Sequence, residues 1–331
     1  MIDASIGDVR TGSLGAPNVV RAFGWSILAV MAAFLIDNIL TVGFDMPGSS
    51  AALSGGGAGA WAQLAIYALG VACAVAYVAR RPETALRSDA RTITRVNAYL
   101  IRGCFWAVVF VGVVDASIAF MRIENLLTPF FNEATVQALG RARYVGLNVH
   151  FPLIVLAFIV AAFSRTLGFT WLTLLIVLAE LLIVLSRFIF SYEQALMGDL
   201  VRYWYAALFL FASAYTLIEE GHVRVDVFYA GMARRTKGFV NAIGSVALGV
   251  STCWVILAIG FHGKQSIINS PVANFEVTQT GSVGMFIKYQ MAVFLAVFGV
   301  TMMIQFVSFL FEAVADIRDE PGHVDPASST L

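Results

Sequence analysis

Eight stretches of about 20 apolar residues punctuate this chain, and no other feature limits its fold so severely. They run over residues 22–43, 60–79, 98–120, 147–164, 169–190, 200–218, 238–261 and 285–312. A bilayer core roughly 30 Å thick is crossed by about 20 residues of α-helix. A helix also satisfies its own backbone polar groups, which hydrocarbon cannot do. The expected fold is therefore all-α, a polytopic helical membrane protein with about eight transmembrane helices. Composition agrees: 59% of the 331 residues are hydrophobic and only 13% are charged, about half the roughly 25% of a soluble domain. The 26 phenylalanines exclude a disordered chain. The 21 basic and 21 acidic residues balance, so nothing points to nucleic acid.

Residues 1–20 are polar, and the apolar stretch after them is too long for the core of a cleavable signal peptide. Only Arg165 to Gly168 separate the fourth and fifth stretches, which must then form a tight helical hairpin. Merging them would leave seven spans. Lys and Arg are retained on the cytoplasmic side. With the N-terminus inside and eight spans, the 21 basic residues divide 14 inside to 7 outside, favouring two cytoplasmic termini. The loop 44–59 carries no Lys or Arg, as an outside loop can. The longest loops, 121–146, 219–237 and 262–284, are too short for a large soluble domain.

Charge inside a membrane is costly and marks candidate sites. Asp37, with Asn38, lies in the outer third of the first span, Asp115 in the outer third of the third, and Glu180 near the middle of the fifth. They could form a proton or cation path, or make polar contacts between helices. Contacts suit the pattern better, because no second carboxylate lies a turn from Glu180 and the spans lack the Gly/Pro breaks of transporter binding sites. Of four histidines only His150 and His262 lie near spans, where they could pair on a haem. Cys73, Cys104 and Cys253 are scattered through apolar runs and suit packing, not a disulfide frame or a metal site. No nucleophile elbow, zinc-protease motif or phosphate loop occurs, so no catalytic residue is assigned and no enzyme is expected. Ser245, Gly249 and Cys253 form a small-residue stripe suited to close helix contact, within the chain or with a partner.

The most distinctive region is 187–237. Arg187 closes the fifth span and Asp199 opens the sixth, positions where helix dipoles favour a cation and an anion respectively. The two are expected to pair across the hairpin. Tyr203, Trp204 and Tyr205 are expected in an interfacial aromatic belt. Gly221 is placed to end the sixth helix, and Asp226 to cap a short interfacial helix reaching Arg234 and Arg235.

Arg187-x-x-Phe190, the acidic Asp199 twelve residues on, and the block Gly221-His222-Val223-Arg224-Val225-Asp226-Val227-Phe228 resemble the small membrane subunit of tripartite ATP-independent periplasmic (TRAP) transporters, the DctQ type. Gly281, Lys288 and Gln305 resemble the family pattern more loosely, and Asp199 stands where the family usually has Glu. The resemblance covers about 169–315. It implies three regions: an N-terminal extension with four helices over 1–168, a DctQ-like four-helix region over 169–315, and a polar cytoplasmic tail over 316–331.

That resemblance implies a scaffold in the bacterial inner membrane. The scaffold braces a large DctM-like permease subunit that moves as an elevator and carries the sodium and substrate sites. A periplasmic binding protein would deliver an organic anion, often a carboxylate. The chain itself would hold no cofactor, metal or substrate ligand, and its partners would be those two proteins and the lipid bilayer. Two other readings stay open on residues alone. One is a haem-binding anchor of a redox complex using His150 and His262; the other is a self-sufficient secondary transporter using Asp37, Asp115 and Glu180.

Overall fold

The computed structural model describes residues 16–165, 169–218, 229, 231–278 and 283–322. Among these are eight helices long and apolar enough to cross a membrane, as the eight apolar stretches predict. They are α1 (Ala16–Gly43), α2 (Gly57–Ala79), α3 (Leu86–Ile123), α4 (Ala142–Phe163), α5 (Phe169–Phe190), α6 (Ala195–Ile218), α7 (Arg234–Gly260) and α8 (Lys288–Ile317). No strand occurs among the described residues. Short helices at Glu133–Leu139 and Asn269–Ala273 decorate the longer loops, the first capped by Asn132 accepting from the Thr135 amide at 2.8 Å.

Helix α3 is much longer than its apolar stretch and begins at Leu86 rather than near 98. Its early turns are charged, yet those charges are satisfied inside the bundle. Arg21 of α1 donates to Asp89 at 2.7 Å with both side chains almost fully buried, and the Trp25 indole donates to the same oxygen at 3.1 Å. Arg87 donates to Glu312 and, at 2.5 Å, to Asp316 near the end of α8. Arg234, the first residue of α7, reaches Asp316 at 3.1 Å. These ion pairs gather the starts of α1, α3 and α7 and the end of α8 at one end of the bundle. Arg234 and Arg235 thus open a spanning helix instead of closing a separate interfacial one. Asp226, the expected cap, lies outside the described residues.

Helices α3 and α8 are the central pair. One apolar cluster joins them to α5 and α6 around Phe105, Leu172, Trp204, Phe211 and Phe294. A second joins them to α1 and α7 around Met31, Ile93, Leu257 and Phe311. Lipid tails are as apolar as leucine, so such clusters hold by close packing and interhelical hydrogen bonds rather than by escape from water. The α3–α8 seam supplies both. Buried Asn97 donates to the Thr301 carbonyl at 2.9 Å. Ser308 meets Thr94 at 2.8 Å and donates to the Ala90 carbonyl at 3.0 Å. Beside the seam, the Trp204 indole donates to the Val108 carbonyl at 3.1 Å and packs against Gly112, where a Cβ would fall 2.3 Å from the ring nitrogen.

Two spans depart from regular α-helix. A π-helical turn occupies Gly146–His150 in α4, and another Ser245–Val250 in α7. Such turns rotate the side chains that follow and recur at functional sites. The first carries His150 into the interior, where it is fully buried.

Candidate functional site

At the end of the bundle opposite the arginine cluster, the chain leading into α8 passes through a polar pocket built by α3, α4 and α6. Residues Met285, Phe286 and Ile287 are buried there. Three consecutive backbone groups are gripped by charged side chains. Arg122, in the last turn of α3, donates to the Gly284 carbonyl at 2.6 Å and lays its guanidinium over the Phe286 ring, 4.1 Å from its centre. Asp199, in α6, accepts the Met285 amide at 3.1 Å and the Thr278 hydroxyl at 3.0 Å. Asp115, in α3, accepts the Phe286 amide at 2.7 Å. A carboxylate holding a backbone N–H is one of the stronger neutral-to-charged hydrogen bonds.

The network continues into α4 and α8. The other oxygen of Asp115 lies 3.2 Å from His150 Nε2, with both side chains fully buried. His150 Nδ1 meets the Tyr289 hydroxyl at 2.8 Å. Gln290 donates to Tyr289 at 3.1 Å and accepts from the Tyr203 hydroxyl. Phe275 completes the wall. Its φ of 49° is costly for a bulky residue, and its ring packs on Tyr289 and against Gly146, which leaves room for it. Chemically, the arrangement fixes a loop and a helix start. It brings no nucleophile and base together at an open surface, and no group of three His, Cys, Asp or Glu suited to a metal occurs among the described residues.

The expected pair of Arg187 and Asp199 is replaced by other partners. Arg187 lies exposed and meets Glu193 of the following loop at 3.3 Å, while Asp199 is buried and has Arg202 at 3.5 Å beside its two loop donors. Helix-end dipoles favour each charge where it stands, but Asp199 faces the bundle and Arg187 faces out. Tyr203 and Trp204 also turn inward and are buried; only Tyr205 of the expected aromatic belt is exposed. Gly221, His222, Arg224 and Asp226 lie outside the described residues.

Asp37 is bound into the loop after α1. It accepts from Gln63 at 2.7 Å, Ser49 at 2.6 Å and Tyr67 at 3.1 Å. The Asn38 and Asn269 side-chain amides each donate a hydrogen bond to the other's oxygen, both at 2.9 Å. Nearby, Lys264 donates to Asp45 across two loops, and the ammonium holds the Asp45 carboxyl below the usual carboxylate range. Ser245, Gly249 and Cys253 are buried against α8, with the Phe306 ring over Gly249 at 2.5 Å from where a Cβ would lie. The stripe therefore meets a span of this same chain. His262 is exposed in the loop after α7, while buried His150 meets the Tyr289 hydroxyl through Nδ1 and has the Asp115 carboxylate 3.2 Å from Nε2. All three cysteines are free. Glu180 stands exposed in the middle of α5.

Sequence reasoning marked Asp115, His150 and Asp199 singly. It missed that they share one pocket, and it missed Arg122, Tyr203, Tyr289 and Gln290 as members. The available signal was the crowding of polar residues at the same ends of the third, sixth and eighth spans.

A bundle of eight helices long and apolar enough to cross a membrane, among the described residues, is that of a multi-pass membrane protein. Residues 173–316 match the family model described as tripartite ATP-independent periplasmic transporters, DctQ component. This part of the chain, from the first turns of α5 to the end of α8, resembles the small membrane component of those transporters, a family of transporter components and not of enzymes. Four further spans precede it. No curated protein and no solved structure matches the chain.

Proposed function

We propose that this chain is the small, scaffolding membrane subunit of a TRAP transporter in the bacterial inner membrane, with both termini cytoplasmic. It braces a large DctM-like subunit that carries the sodium and substrate sites. A periplasmic binding protein delivers the substrate, an organic anion of the carboxylate class, and the sodium gradient drives uptake. The observation that carries this reading is the family match over 173–316. The polar groups support it, because Asp37, Asp115 and Asp199 are each committed to backbone or side-chain donors of this chain. The arginine-rich end, with Arg21, Arg87 and Arg234, suits the cytoplasmic face.

The test is co-purification followed by reconstitution. The tagged chain is expressed with its chromosomal neighbours and extracted in mild detergent. The expected result is a large multi-span partner in near-equal amount. The pair in liposomes, supplied with the binding protein, should take up substrate only under a sodium gradient. A chain that purifies alone and transports solute unaided would overturn the proposal.

A further inference from the structure

Helix α5 is held on one side only. Leu172, Ile176 and Ala179 pack into the bundle, while Val177, Leu181 and Val184 are exposed. An apolar outward face is ordinary for a helix in lipid. The exception is Glu180, eleven residues after Phe169 and ten before Phe190, which places its carboxyl near the middle of the membrane. It is exposed, and among the described residues it makes no hydrogen bond or ion pair. Thr173, Glu180 and Arg187 are all exposed and stand seven residues apart. Seven residues is close to two helical turns, so the three form one polar line along the helix. A line with that repeat stays in register with a second helix crossing at a shallow angle, as in left-handed pairs. Lipid tails offer the Glu180 carboxyl in the middle of that line nothing to bond.

We infer that this face of α5 is the docking surface for a transmembrane helix of a partner subunit that carries an arginine or lysine at the depth of Glu180. This rests on the small-subunit reading and names the face that reading requires. A second copy of this chain is the poorer occupant, because a symmetric contact here would set Glu180 near Glu180.

The experiment places a photo-crosslinking residue at Val177 or Val184, or at Leu69 on α2, an equally exposed control. Each chain is co-expressed with the large TRAP subunit. Crosslinks to that subunit are expected from 177 and 184 and not from 69. Glu180→Leu should lower recovered complex by about tenfold, the scale of one intramembrane polar contact. The Glu180→Leu chain alone should melt no lower than wild type, which separates docking from folding. Restoring assembly by Glu180→Arg together with a Glu in place of the crosslinked partner's basic residue would establish the pairing. Crosslinks from 69 only, crosslinks to a second copy, or full assembly of Glu180→Leu would overturn the inference and leave the small-subunit reading standing. If the wild-type chain recovers no large subunit, that reading falls and the inference falls with it.

Discussion

The backbone N–H of Phe286 donates to the carboxylate of Asp115 across 2.7 Å, joining the last turns of α3 to the first residues leading into α8. The same carboxylate faces His150, so one buried side chain holds a loop and a second helix. Removing it strands the Phe286 amide in the interior and takes away the carboxylate facing His150. Asp115→Ala is expected to destabilise the chain by about 3 kcal/mol, the scale for breaking a buried charged contact. Asp115→Asn keeps an accepting oxygen and should cost less than half as much. Thermal unfolding in detergent, followed by intrinsic fluorescence, measures both.

Asp199 and Arg187 should behave independently. Asp199→Ala frees the Met285 amide and Thr278, and is expected to cost about 2 kcal/mol. Arg187→Ala loses only an exposed pair with Glu193 and should change the stability of the isolated chain by no more than about 0.5 kcal/mol. The double variant should equal the sum. A coupling energy well above that in a double-mutant cycle would restore the direct pairing suggested by helix-dipole reasoning.

That contrast marks what the sequence could carry. Eight spans were legible because the bilayer forces each to announce itself with about 20 apolar residues. The first turns of α3 were hidden, since Arg87 and Asp89 read as loop charges. Their partners, Arg21 and the Glu312–Asp316 pair, lie far away along the chain. The site was legible residue by residue and not as a place. Asp115, His150 and Asp199 come from three helices, and only packing decides that Asp199 turns inward. Neighbouring sequence describes a helix end but not the face it presents.

Gly249 tests the close contact of α7 with α8. Gly249→Ala sets a methyl group against the Phe306 ring and should cost about 1–3 kcal/mol, the usual penalty of overpacking. Pairing it with Phe306→Leu should recover part of that loss. A melting temperature unchanged by Gly249→Ala would show the helices free to move apart.

The Lys264–Asp45 tie should depend on pH. Lys264 lowers the Asp45 carboxyl in the folded chain, first through its hydrogen bond and then through its charge. A carboxyl lowered on folding contributes above its unfolded value, and that contribution is lost as pH falls through the folded value. The two loops should stay joined at neutral pH and separate below about pH 4. Hydrogen exchange of amides 44–46 and 48, corrected for intrinsic rates, should rise in that range. In Asp45→Asn it should be fast throughout, with no such step.

Helix α8 is the last of the eight spans to be synthesised, yet it is the strut that α1, α3, α6 and α7 all lean on. Until it leaves the ribosome, Asn97 has no Thr301 carbonyl to bond and Asp115 no Phe286 amide. The span that comes eighth in the chain is thus the keystone of the bundle, and a chain truncated before Lys288 loses its centre rather than its edge.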